Sequence, residues 1–102
     1  MKIKVFEIIG GQFAVSAEKG KTLYDSIVKN ISLGEIPIIL DFEGIEMTIS
    51  TFFNLAYGEL FKDYTEEEVE KLVKFENAKE ISLSQIKQVK INALKLYRRG
   101  VD

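Results

Sequence analysis

The sequence predicts an α/β domain in which helices pack on a small mixed β-sheet. Three observations carry that expectation. Residues 2–9, KIKVFEII, alternate and then become wholly apolar, as a strand does. Residues 36–42, IPIILDF, form a short continuous apolar run rich in isoleucine, the pattern of a central strand buried on both faces. The remaining apolar residues recur at helical spacing, in segments opened by capping signals.

Taken in order, the first strand is expected to end at Gly10-Gly11, a tight hairpin turn from which residues 12–16 return as a second short strand. Residues 17–21 read as loop. Thr22 stands where it can cap a helix with Leu23, Ile27, Val28 and Ile31 on one face, and Gly34 is a C-terminal stop. Pro37, the only proline, sits near the start of the central strand, where a missing N–H is tolerated. Gly44 breaks that run. From Ser50 or Thr51 to about Phe61 the pattern is helical and offers Phe52, Leu55, Ala56 and Phe61 for burial.

Thr65 followed by Glu68 matches a capping box, opening a helix that buries Val69, Leu72 and Val73. Residues 74–78 read as a short edge strand or a loop. Ser82 followed by Gln85 matches a second box, with Ile81 and Ile86 as its hydrophobic staple. The last helix then runs through Ile86, Val89, Ala93 and Leu96 to Arg98 or Arg99, where a cation suits the helix dipole. No internal repeat, low-complexity tract or linker interrupts the order β-β-α-β-α-α-(β)-α. One domain over residues 1–102 is expected.

Composition narrows the function. The chain has 102 residues, 46% hydrophobic and 29% charged, an ordinary soluble balance. No apolar run approaches the roughly 20 residues of a membrane helix, and the opening residues read as a strand and not a signal peptide. With neither Cys nor His, disulfides, thiolate nucleophiles, Cys-ligated zinc and Ser-His arrangements are excluded. An intracellular, cytoplasmic protein without intrinsic enzyme activity or cofactor is the expectation. A net charge of −2 argues against nucleic-acid binding. Lys87, Lys90, Lys95, Arg98 and Arg99 form the one locally basic stretch.

The segment LDFEGIEMTISTFFNLAYGEL, residues 40–60, is the candidate site, with Asp41, Glu43, Glu46, Thr48, Ser50 and Thr51 gathered between strand and helix. A hydroxyl at a helix N-terminus accepts a backbone N–H bond worth about 1 kcal/mol, which would account for Ser50 or Thr51 as a cap. A phosphate there would also meet free N–H groups and the helix dipole. Oxygen ligands alone would suit Mg²⁺ or Ca²⁺, but no spacing matches a cation loop, and Asp41 can simply bond the following turn. No metal site is assigned. Gly10-Gly11 is no phosphate loop, lacking GxxxxGK[ST] and GxGxxG. The acids from Glu66 to Glu70 read as a dipole-complementing turn and a solvated face. Phe52, Phe53, Tyr57, Phe61 and Tyr64 exceed what one buried helix face needs, so Phe53 or Tyr57 is expected to be open to a partner.

The succession of strand, helix, IILDFEGIE, hydroxyl cluster and FNLAYGEL resembles the STAS-like domains, relatives of anti-sigma factor antagonists, and more narrowly the STAS-like family of unassigned function. The matching positions are Gly10 or Gly11, Gly20, residues 40–44, Thr51-Phe52 and Gly58. The resemblance implies a STAS-like fold and a prokaryotic, non-catalytic regulatory module that binds a protein partner, a kinase-like or other ATPase. It implies phosphorylation at Ser50, with Thr51 as neighbour, although Ile49 stands where the antagonists have Asp and Phe52 where they have Gly. The partner surface is expected at residues 41–57, on Glu43, Glu46, Thr48, Phe53 and Tyr57. The competing reading is a small-ligand or nucleotide-binding sensor that uses the same groove.

Overall fold

The structure is a computed structural model that describes residues 1–97. Its elements are β1 (Lys2–Lys4), α1 (Val5–Ile9), β2 (Phe13–Ala14), α2 (Ala17–Ser32), β3 (Ile38–Asp41), β4 (Met47–Thr48), α3 (Ser50–Ala56), a 3-10 turn (Gly58–Lys62), α4 (Glu66–Leu72), β5 (Val73–Glu76) and α5 (Glu80–Tyr97). The expected α/β class, with helices packed on a small sheet, is what the chain forms. Among the described residues no helix is long and apolar enough to cross a membrane.

Strand β3 is central, flanked by β1 and β5 in a three-stranded parallel sheet. Ile3 and Leu40 are partners in that register, as are Ile38 and Val73, and all four are buried. Alternation sends their neighbours to the opposite face. There Lys2, Ile39 and Lys74 form one row, and Lys4, Asp41 and Glu76 the next. The lysines and Glu76 are exposed and Ile39 is half-buried. Within β3, Ile38, Leu40 and Asp41 are buried and Ile39 is half-buried, close to the expected strand buried on both faces, while the exposed charges belong to the flanking strands β1 and β5.

The predicted hairpin is also corrected. The chain leaves β1 after Lys4 and turns helical, because Val5 and Ile9 are spaced to bury one face of a single turn. Gly10, at φ 74°, closes that turn, its N–H bonding the Phe6 carbonyl at 3.0 Å. The chain beyond it pairs not with β1 but with β4, in a separate parallel ladder.

Helix α2 begins at Ala17, inside the predicted loop. Its cap is Ser16, whose hydroxyl accepts the Lys19 N–H at 3.1 Å, while Thr22 lies within the helix and donates to the Glu18 carbonyl. Leu23 and Ile27 are buried as expected, Val28 and Ile31 partly so, and Gly34 at φ 75° follows the helix end. Gly20 lets α2 pack tightly against α3: a Cβ there would stand 2.4 Å from the Phe52 carbonyl oxygen. The predicted helix from 50 to 61 divides at Tyr57, continuing as the 3-10 turn.

The first capping box is present in both halves, Glu68 N–H to Thr65 Oγ1 at 3.2 Å and Thr65 N–H to Glu68 Oε1 at 2.8 Å. The second is not. Helix α5 already begins at Glu80, Ser82 is buried within it, and Ile81 is 62% exposed, so no staple forms. The expected helix end at Arg98 or Arg99 lies outside the described residues. Lys90 is not part of a free basic face, since it bridges Glu66 and Glu70 of α4.

Candidate functional site

The junction is built from the C-terminal end of β3 outward. Asp41 is its buried anchor. Its Oδ1 accepts the Asn77 side-chain amide at 2.8 Å and the Glu43 N–H at 3.0 Å, and Lys2 stands 3.8 Å from Oδ2. The Asn77 hydrogen bond, then the Glu43 N–H and the nearby lysines hold the carboxyl below its ordinary value, against the opposing effect of burial. Asn77 itself has φ 57°, a left-handed conformation that asparagine tolerates. Asp41 therefore ties β3 to the turn after β5. Gly44, at φ 85°, reverses the chain under the Phe6 ring, which a Cβ would meet at 3.2 Å.

The returning chain is fastened on two sides. Toward β2, the Glu46 N–H bonds the Gln12 carbonyl at 2.8 Å and the Ile49 N–H bonds the Ala14 carbonyl at 3.2 Å. Toward α5, Thr48 donates to Gln85 Oε1 at 2.6 Å, and its oxygen lies 2.7 Å from the Ser82 hydroxyl. A threonine hydroxyl has one proton, so Ser82 is the donor in that second bond. The Gln85 amide completes the loop by donating to the Thr48 carbonyl at 3.1 Å. Lys79 reaches the Glu46 carbonyl at 3.2 Å.

Helix α3 follows at once. Its N-cap is Ile49, in extended conformation and with no side-chain cap bond. Ser50 and Thr51 are the first helical residues, and both are exposed. The capping role expected of them is corrected: the boundary falls one residue earlier, so their hydroxyls sit past the capping position.

Three of the expected surface residues are interior. Phe53 is 1% exposed, Tyr57 5% and Thr48 6%. The reason is packing: α3 is held between α2 and α5. Phe53 lies 5.2 Å from the Phe52 ring and 5.8 Å from Phe42, and Tyr57 meets Phe61 and Phe75 edge-on, each at 5.3 Å. The aromatic surplus of this segment fills the space between helices and sheet. Glu43, Glu46, Ser50 and Thr51 are each exposed, as expected.

A family profile described as a STAS-like domain of unknown function (DUF4325) matches residues 19–83. The chain belongs to this family. No curated protein and no solved structure matches it. The matched segment runs from the first turn of α2 into α5, so it contains the whole junction and the Gly20 contact; β1, α1 and β2 precede it.

In this STAS-like domain, β2 contributes what the sequence reading missed. Phe13 pairs in register with Met47, and the two are 44% and 54% exposed. Val15 is exposed beside them, so an apolar strip adjoins Ser50 and Thr51. The signal lay in the alternation of QFAVS and EMT, where small Ala14 and hydrogen-bonding Thr48 take the inward positions and the larger apolar residues point out. Among the described residues no three acidic side chains come together in a group that could hold a metal ion. A cavity of about 660 Å³ lies away from the junction, against the 3-10 turn, α4 and the C-terminal half of α5.

Proposed function

We propose that this STAS-like domain is a non-catalytic regulatory module that docks on a protein partner, a kinase-like or other ATPase, through the outer face of the β2–β4 ladder and the start of α3. The observation that carries the reading is the exposed Phe13–Met47 pair, with Glu43, Glu46, Ser50 and Thr51 exposed in the segment on either side of Met47. An apolar centre with a polar rim is the composition of a docking surface. Asp41 and Thr48, the inward polar groups of the junction, are already committed to holding it together, which supports an interaction role over chemistry. The exposed Ser50 hydroxyl has no capping duty to lose and stands where a phosphate would alter that surface.

The test is affinity capture from the native host with wild type and three variants, followed by binding measurements on the ATPase recovered. Met47→Asp is expected to weaken binding more than tenfold, and Ser50→Asp about tenfold, or about 1.4 kcal/mol. Ser50→Ala should bind as wild type does. Equal binding by all four proteins would remove the proposed surface.

A further inference from the structure

The three-stranded sheet ends in β1 on one side and β5 on the other, and the two edges differ in chemistry. At β5 the ladder fixes which backbone groups point outward. The Phe42 N–H bonds the Glu76 carbonyl at 2.9 Å, so the backbone of Glu76, and by alternation that of Lys74, is turned toward β3. Phe75, between them, turns its N–H and C=O the other way, where no strand among the described residues pairs with it. Its ring packs inward on Phe42 and Tyr57. Lys74 and Glu76 are exposed, on the face of the sheet that carries Lys2.

We infer that β5 pairs antiparallel with β5 of a second copy of this chain, about a two-fold axis through Phe75. In an antiparallel ladder, facing residues whose N–H and C=O point at each other exchange both hydrogen bonds. The two Phe75 residues thus satisfy each other. The same register sets Lys74 of each copy opposite Glu76 of the other, in the closely spaced position where opposite charges attract. Lys74 forms no salt bridge among the described residues. Glu76 meets Lys2 at 3.0 Å through Oε1, with both side chains about half exposed. A carboxylate has acceptor sites enough for a second cation.

The β1 edge lacks this complementarity. Its strand is Lys-Ile-Lys with both lysines exposed, so antiparallel self-pairing about Ile3 sets lysine against lysine, which guards an edge against association. An unrelated extended segment would meet the Phe75 backbone too; β5 itself supplies the complementary charges in the order that the two-fold requires. A four-residue strand is a small contact, and small interfaces form transient pairs, so the dimer is weak and reversible. The edge lies outside the β2–β4 ladder, and its failure would leave the docking reading untouched.

The experiment is sedimentation velocity on the full chain across a dilution series reaching millimolar, with amide hydrogen exchange of Phe75 measured alongside. A reversible monomer–dimer equilibrium is expected, with the Phe75 amide exchanging more slowly as concentration rises. Lys74→Glu, at an exposed position, sets like charges opposite each other and should weaken dimerisation about tenfold. Adding Glu76→Lys reverses both charges and should return the affinity to within about threefold of wild type, with the circular dichroism spectrum unchanged. The inference is overturned if the chain stays monomeric throughout, if a dimer forms without protecting Phe75, if Lys74→Glu dimerises as wild type does, or if the folded double variant stays as weak as the single one.

Discussion

Thr48 shows how a residue that reads as surface becomes structural. In the sequence it is one hydroxyl among several; in the fold it is the point where β4 is tied to α5 through Ser82 and Gln85. Replacing it with valine keeps the shape and removes the hub. The Ser82 hydroxyl, in a residue 4% exposed, loses its acceptor and Gln85 Oε1 loses its donor. Leaving such groups unpaired costs about 1–3 kcal/mol. Thr48→Val should therefore lower the urea midpoint, and adding Ser82→Ala should restore part of the loss, because removing both partners is cheaper than removing one. Strictly additive losses would show that the two hydroxyls are not coupled. The network was invisible in the sequence because its members are separated by 34 and 37 positions, and because Ser82 also fits a capping box.

At the scale of elements, what was legible followed from local chemistry. The Thr65 box was readable because both partners lie within one turn. The central strand was readable because a continuous apolar run has few other uses. The first strand was read correctly at Lys2–Lys4 but carried too far, because Val5 and Ile9 satisfy a strand's alternation and a helix's i, i+4 spacing equally well. Only the partner strand decides between them, and β1 finds its partner in distant β3. Gly20 carries the same lesson. Within a helix, Gly→Ala normally stabilises by about 1 kcal/mol. Here the new methyl would fall 2.4 Å from the Phe52 carbonyl oxygen and 3.0 Å from Leu55 Cβ. A backbone carbonyl cannot swing aside, so α2 and α3 must separate. Gly20→Ala is expected to destabilise by about 1–3 kcal/mol, as overpacking does. A raised melting temperature would refute the close helix contact.

Of the two small parallel sheets, the three-stranded one draws on β1, β3 and β5, and Asp41 joins its parts: Lys2 of β1, its own strand β3, and Asn77 beyond β5. These contacts lower its pKa from the ordinary 3.8, the Asn77 amide most of all and the Glu43 N–H next. The sign follows from linkage. A carboxyl that is more acidic folded than unfolded contributes stability fully above its unfolded value, and loses it as pH falls through the lower folded value. Glu59 and Glu70 are lowered too, by hydrogen bonds from Lys62 and Lys90 respectively, but both are partly exposed, so solvent screens their share of the loss on acidification. Asp41→Asn separates the contributions. The amide oxygen can still accept hydrogen bonds, but the charge that attracts Lys2 and titrates is gone. This variant should be less stable than wild type at pH 7, and the gap should narrow as pH falls below the ordinary carboxylate range. Urea midpoints measured from pH 7 down to pH 3 test this. Parallel curves for the two proteins would mean that Asp41 holds the sheet by hydrogen bonding alone, with no contribution from its charge.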